Sequence, residues 1–464
     1  MNAFSKVKFN SIDKVTKNGN NIANIERWAK SRMNMEEREM NEQWAAYQKS
    51  EVFAARVATL YGAGEDVLAR QKARYGKLVE RFEARFGKQN GGLYFFSAPG
   101  RTEIGGNHTD HNNGRVLAAA VDLDTIACVS KTDDNKIVVD SEGFAPITVT
   151  LDSFEIREAD FGTTLSLIRG TAAVMKDMGY KIGGFRATVS SSVLRGSGLS
   201  SSAAFEVLIG AIIDGLYNGF VVDAKTRAVI AQKVENIYFG KPCGLMDQMA
   251  SSVGGMVTID FKEADAQVEA IACDFAAHGY ALCVVNTGGD HGDLTDDYAA
   301  IRTEMEAVAA HFGKKVLREV AQEEVESRIG EVRKACGDRA VLRALHFYDE
   351  NARVLEQAAA IRGGDLPAFF DAVKRSGESS WKLLQNVYAR PTEEQMAMGI
   401  ELSRRFLAGD GAQRVHGGGF AGTIQAYVPL ARLADYKRLM EDVFGAGSCT
   451  ALMVRPEGAV MMKM

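Results

Sequence analysis

One stretch constrains this chain more than any other: Arg195-Gly196-Ser197-Gly198-Leu199-Ser200-Ser201-Ser202-Ala203-Ala204. Upstream, residues 183–193 alternate Phe185, Ala187 and Val189 against Arg186, Thr188 and Ser190, the pattern of a half-buried strand. Downstream the chain is apolar almost all round until Asn218-Gly219, the pattern of a buried helix with a clean stop. Strand, glycine loop and buried helix therefore follow in order. Glycines let backbone N–H groups approach a ligand, and a helix N-terminus offers unpaired donors at its positive end, so the junction suits a phosphate. Ser200, Ser201 and Ser202 add hydroxyl donors and candidate magnesium ligands. No Gly-Lys-Ser/Thr follows, which excludes a Walker A loop. Taken alone, the stretch reads equally well as a tight turn with a serine cap.

With 464 residues, the chain is too long for one average core, and two domains plus an appendage are expected. The net charge of −5 argues against nucleic acid or an anionic membrane as a bulk partner. The six cysteines (Cys128, Cys243, Cys273, Cys283, Cys336 and Cys449) form no CxxC pair, which leaves a zinc site unsupported and suits a reducing compartment. The N-terminus lacks a signal-peptide core, and the longest apolar run, Val207 to Tyr217, is interrupted by Asp214 and too short to span a bilayer. A cytoplasmic location is expected.

Residues 1–90 differ from the rest. Val52/Phe53, Val57 and Leu60/Tyr61 recur at helical spacing, as do Val79, Phe82 and Phe86, predicting two or more amphipathic helices. Such an arm is either an oligomerisation or regulatory device or, more simply, a helical flap packed on the main body. Beyond Leu93, a Gly/Asn/His-rich loop separates two strand-like segments, as binding loops often do. A helix is expected over 224–239 with Val229/Ile230, Val234 and Ile237/Tyr238 inward, a buried strand over 280–286, and mostly helix over 296–380. Strand-like and glycine-rich pieces return after 411. This irregular alternation predicts an α+β fold rather than a doubly wound sheet.

Two further clusters share chemistry with the first. Pro242-Cys243-Gly244-Leu245-Met246-Asp247-Gln248 places an acid in a Gly/Pro loop, which by itself is a common turn. Gly417-Gly418-Gly419-Phe420-Ala421-Gly422-Thr423, after His416, is by itself a flexible turn. Together with GRTEIGGNHTDHNNGRVL (100–117), these ordered motifs resemble the GHMP kinase superfamily and, within it, the galactokinases. The resemblance covers about residues 91–464. It implies a two-lobed GHMP kinase fold with an added helical N-terminal extension (1–90), a sugar- and ATP-binding domain (91–265) and a C-terminal domain (266–464). It also implies an ATP-dependent sugar 1-kinase, with Mg²⁺ as cofactor and sugar and ATP as partners. The protein is then a monomer or a homo-oligomer through the extension.

The resemblance assigns roles position by position. Asp247 falls on the catalytic carboxylate that accepts or orients the proton of the sugar's anomeric hydroxyl. Arg101 falls on the arginine that keeps this acid ionised and steadies the transferring phosphoryl. ATP is expected on Gly196, Ser197, Gly198, Leu199, Ser200, Ser201, Ser202 and Ala203. Glu235, twelve residues before Asp247, matches the magnesium-binding acid, acting with Ser201 or Ser202; spacing aside, it reads as a solvated helix face. His108, Asp110, Gly244 and Tyr298 match sugar contacts, as a hydroxyl-rich ligand requires. His278, His311 and His346 match nothing and are expected to be surface or structural.

Two departures stand out. Asn107 occupies the position of a glutamate that meets the sugar's 6-hydroxyl, and an amide can donate where a carboxylate only accepts. Glu103, on the same loop, is a partial replacement. Leu194 stands where a proline is usual. Galactose is therefore the first substrate reading; N-acetylgalactosamine, galacturonate and arabinose are alternatives. A non-catalytic sugar sensor is a further one, disfavoured because Ser202-Ala203-Ala204, Asp247 and Arg101 are all present.

Overall fold

The computed structural model describes residues 42–88, 92–193, 198–241, 243–289 and 294–464. The chain forms two compact units, Met1–Ala54 and Ala55–Met464. In the smaller unit, α1 (Glu42–Tyr47) sets Trp44 and Tyr47 against Phe53 at the start of α2 (Glu51–Tyr61), with ring centroids 5.3 and 5.4 Å apart.

The larger unit begins within α2 and continues through α3 (Glu65–Phe86). Val57, Leu60, Tyr61, Val79 and Phe82 are buried as their spacing predicted, while Val52 is exposed. Helix α3 lies on the first sheet: Tyr75 meets Phe95 edge-on, the Thr188 hydroxyl donates to the Leu78 carbonyl at 3.0 Å, and Arg81 pairs with Asp140 at 2.8 Å.

The first sheet is built from β1 (Tyr94–Gly105), β2 (Arg115–Lys131), β3 (Lys136–Ser141), β4 (Ile147–Thr150) and, after α4 (Thr164–Asp177), β5 (Phe185–Ser191). Next come α5 (Ser201–Tyr217), α6 (Ala224–Ile237), α7 (Met246–Val253), β6 (Met256–Asp260) and β7 (Gln267–Ile271). The second half contains β8 (Tyr280–Gly288), α8 (Thr295–His311), α9 (Gln322–Ser327), α10 (Ile329–Cys336), α11 (Asp338–Arg362) and α12 (Leu366–Ser379), which runs into a π-helical turn (Ser380–Leu384). It closes with α13 (Gln395–Leu407), β9 (Ala412–Val415), β10 (Gly422–Pro429), α14 (Leu433–Phe444), β11 (Cys449–Leu452) and β12 (Val460–Lys463).

The large sheet has the order β12-β1-β2-β5-β3-β4, with β6 and β7 branching from β2; the small one runs β11-β8-β10-β9. Only β3–β5 is parallel among these pairs, so the fold is α+β as expected. Helix α5 is buried along Val207–Ile213 because it is apolar all round. Asp214 ends that run by accepting from the Val221 and Val222 N–H groups and from Arg227. Helix α6 starts on an Asp223 cap and buries Ile230 and Val234. Ile237, on the same last turn as the buried Val234 and Glu235, is instead 45% exposed. All six cysteines are free. Among the described residues no helix is long and apolar enough to cross a membrane.

Asp124, fully buried on β2, ties these layers together. It accepts from Tyr61 (2.6 Å), Arg74, Arg455 (3.0 Å) and Ser97. Burial alone would raise its pKa, but the two guanidinium groups outweigh it and hold the carboxyl below its usual range. Removing this anion strands a fully buried arginine. Asp124→Ala should therefore cost about 3–5 kcal/mol in urea unfolding; an unchanged midpoint would show that the cluster contributes little.

Candidate active site

Strand β1 is irregular where chemistry is expected. Its register against β2 shifts between Pro99 and Arg101 and again between Glu103 and Gly105. Such bulges re-aim side chains. Arg101 is thereby directed at Asp247, in the first turn of α7, with both partners bidentate: Nε to Oδ1 and Nη2 to Oδ2, each 2.6 Å. The Arg101 N–H donates to the Leu199 carbonyl at 3.0 Å, and its Nη1 to the Gly198 carbonyl. The Ser200 hydroxyl donates to Asp247 Oδ2 at 2.6 Å. Arg101 is 8% exposed, whereas the Asp247 side chain is 30% exposed, so the acid keeps an open side.

Leu194, Arg195, Gly196 and Ser197 lie outside the described residues, as does Pro242. From Gly198 on, the loop leads into α5: Leu199 and Ala203 are buried beneath it, and Ser201 and Ser202 sit half-buried at the helix start. Glu235 is 3% exposed, so it is no solvated helix face. Its Oε2 accepts from Gln248 Nε2 at 2.7 Å, and Lys241 stands 3.6 Å from Oε1. Glu206, one helical turn beyond Ser202, shares the same Gln248 amide at 3.3 Å, and its Oε1 is buried without a hydrogen-bond partner. A buried anionic oxygen lacking a donor fits a cation. Among the described residues no group of three or more His, Cys, Asp or Glu gathers at one point, so a magnesium ion here would need serine, phosphate or water oxygens as well.

On the other side of Arg101 lies the loop after β1. His108 has a left-handed backbone, and its Nε2 donates to the Gly418 carbonyl at 2.9 Å. Desolvation, then His111, pushes the His108 ring below its ordinary pKa, so it is neutral at neutral pH. Asp110 approaches Gly244 so closely that a Cβ there would lie 2.3 Å from Oδ2, which explains the glycine. Tyr298 donates to the Gly419 carbonyl at 2.7 Å and stacks edge-on against Phe420. Burial pushes its hydroxyl up to about 12, so it is a donor. Gly419 has φ +80°, and a Cβ there would meet the Asn386 carbonyl at 2.1 Å.

Asn107 is fully buried, and its amide is saturated within the protein. Nδ2 donates to Glu103 Oε1 (3.0 Å) and to the Gly417 carbonyl (2.7 Å), while Oδ1 accepts from Asn386 (2.8 Å) and Ser380 (3.4 Å). Glu103 Oε1 also accepts from Arg414 at 2.7 Å, so this oxygen is shared between Asn107 and Arg414. His346, one of the three unmatched histidines, is buried and donates from Nε2 to the Asn107 carbonyl at 2.9 Å. His278 is exposed and His311 half-buried.

Sequence reasoning missed Glu206, Gln248, Asn386 and Arg414. For Glu206 a signal existed: with Asp214 it is one of two acids in an otherwise apolar helix, four residues from Ser202 and so on the same face. His416 was noticed only as the start of a glycine turn. It is buried, with ring nitrogens 2.9 Å from the hydroxyls of Thr102 and Thr423, and it abuts Gly198.

Comparison with known proteins agrees with this geometry. The galactokinase galactose-binding signature matches residues 80–131, and the GHMP kinase N-terminal domain matches residues 166–255. The galactokinase of Actinobacillus pleuropneumoniae is 30% identical over 355 residues, covering 74% of this chain and 88% of the relative. That of Streptomyces coelicolor is 29% identical over 386 residues, covering 81% and 94%. Lactococcus lactis galactokinase complexed with galactose superposes with a TM-score of 0.71 at 23% identity, over 82% of this chain and 98% of that one. The mevalonate kinase of Methanococcus jannaschii superposes at 0.53 and 15%, over 81% and 98%, and so shares the fold. With its Arg101–Asp247 pair set at the start of α5, the chain belongs to the galactokinase family of GHMP kinases, phosphotransferases that use ATP and an alcohol acceptor.

Proposed function

We propose that this protein transfers the γ-phosphoryl group of ATP to the anomeric hydroxyl of galactose, giving galactose 1-phosphate and ADP. The observation that carries this reading is the bidentate Arg101–Asp247 pair beside the start of α5, with the Asp247 side chain left 30% exposed. Asp247 accepts or orients the proton of the anomeric hydroxyl as its oxygen attacks phosphorus and ADP leaves. Arg101 fixes both carboxylate oxygens, so the acid presents one orientation, and it steadies the transferring phosphoryl. The start of α5, with Gly198 to Ala203, receives the phosphates. Mg²⁺, when bound, supplies charge neutralisation at the phosphates, and Glu235 with Ser201 or Ser202 would hold it. His108, Asp110, Tyr298 and the Gly244 backbone would meet the sugar. We assign residues 91–265 and 266–464 to the two kinase lobes and 1–90 to an arm on a cytoplasmic monomer or homo-oligomer.

A second reading, a galactose-like sugar altered at C6 or C2, is favoured by Asn107. Its amide has no donor or acceptor left for a 6-hydroxyl. Galacturonate, arabinose and N-acetylgalactosamine are the candidates.

Asp247→Asn should lower turnover by about 10²–10⁴-fold while leaving ATP binding intact, because it removes the proton acceptor without emptying the site. Near-normal turnover in that variant would remove Asp247 from the chemistry. In an ADP-release assay over hexoses, amino sugars, uronates and pentoses, galactose should give the highest kcat/KM. A uronate, pentose or amino sugar in first place would establish the second reading instead. Asn107→Ala should cost about 1–3 kcal/mol of stability by stranding its buried partners. Denaturant unfolding reads this directly, and a change below the error of the method would show that the network is dispensable.

A further inference from the structure

Glu206 has no part in the reading above, yet its surroundings are unusual. It projects from the second turn of α5 and is 1% exposed; Glu235, from α6, is 3% exposed. Between them stands the Gln248 amide nitrogen, 3.3 Å from Glu206 Oε2 and 2.7 Å from Glu235 Oε2, and the Cys243 thiol also hydrogen-bonds to Glu235. Among the described residues the cation paired with Glu235 is Lys241, largely exposed and 3.6 Å away. Glu206 Oε1 has no hydrogen-bond partner, and neither does Gln248 Oε1, both being buried. Two desolvated carboxylates that share a single amide are short of positive charge.

Position adds a second argument. Ser202 and Glu206 stand four residues apart on α5, hence on one face, below the helix start where phosphates are expected. An ion seated by Ser202 would have the free oxygen of Glu206 as its next protein neighbour on that face. The oxygens left open, Glu206 Oε1 and Gln248 Oε1, are hard donors of the type magnesium takes.

We propose that Glu206 is a further carboxylate of the divalent-cation site, holding the metal of the metal–nucleotide complex together with Glu235. This rests on the kinase reading, and the test separates the two. Mn²⁺ serves as the probe, with its binding to the full chain followed by electron paramagnetic resonance in the presence of a non-hydrolysable ATP analogue. Glu206→Gln should weaken Mn²⁺ binding by about tenfold or more, while the affinity for the analogue without metal stays at the wild-type value. Without metal, the same variant should melt no lower than wild type, since a like-charge contact is gone; its upward shift on adding Mg²⁺ should shrink. Glu206→Asp, which keeps the charge on a shorter stem, should bind Mn²⁺ between the two, and it reads the same question if the glutamine variant does not fold. Wild-type Mn²⁺ affinity in Glu206→Gln, or in Glu206→Asp where that variant stands in for it, with loss in Glu235→Gln, overturns the role of Glu206 alone. Wild-type affinity in both the Glu206 and Glu235 variants overturns the metal assignment of Glu235 as well.

Discussion

The bidentate contact of Arg101 with Asp247 is the interaction on which the rest of the site depends. It joins residues 146 positions apart, and each half is fixed by a different local device. The β1 bulges turn Arg101 out of the regular ladder. Asp247 is held in the first turn of a short helix, where its carboxylate also receives the Ser200 hydroxyl. Because Arg101 additionally donates to the Gly198 carbonyl and hydrogen-bonds to Leu199 through its backbone, the pair sets where α5 begins. The start of α5 and the acid are thus positioned by one residue, which makes their separation a property of the sheet.

Charge is used the same way deeper in the molecule. Arg414, fully buried on β9, donates to Glu103 and to the Ile104 carbonyl, so the small sheet grips the irregular end of β1. Glu350 on α11 receives the Gly106 N–H and the Ser376 hydroxyl and pairs with Arg353, with its pKa pulled down to about 2 against the opposing effect of burial. Buried pairs of this kind are weak evidence for stability, since desolvation offsets much of the attraction. What they provide here is direction: Arg414 ties β9 to β1, and Glu350 ties α11 to the residue after β1.

The parts of this design carried by local pattern were legible in the sequence. The apolar run of α5, the alternation of β5, the Asp223-capped helix and the glycine motifs are short-range features, and the family resemblance placed Arg101, Asp247 and Glu235 on them. The α+β class followed from the irregular order of strands and helices. What stayed hidden was set by long-range contact. Ile237 reads as an inward position by spacing, yet it is exposed while its neighbours Val234 and Glu235 are buried. Asn107 reads as a residue facing a sugar, yet its partners Asn386, Ser380 and Gly417 lie hundreds of residues away and cannot be anticipated from spacing. The π-helical turn at Ser380–Leu384, followed by the left-handed Gln385, brings Asn386 to that place, and no periodicity announces it.

The glycine loop shows how these hidden contacts bear on function. Three successive carbonyls are each taken by a side chain from the sugar side of the cleft: Gly417 by Asn107, Gly418 by His108 and Asn386, Gly419 by Tyr298. His416, one residue before, rests against Gly198 of the phosphate loop. A carbonyl cannot shift by more than a few tenths of an ångström without losing such a bond. The loop's position and the orientations of His108 and Tyr298 are therefore one degree of freedom, not three. Asn107 belongs to that unit through its side chain and, through His346, its backbone. An amide suits this role where a carboxylate would not, because Gly417 offers only an acceptor and Glu103 is already an anion. The amide at position 107 thus serves the loop, which is why it has no group left for a 6-hydroxyl.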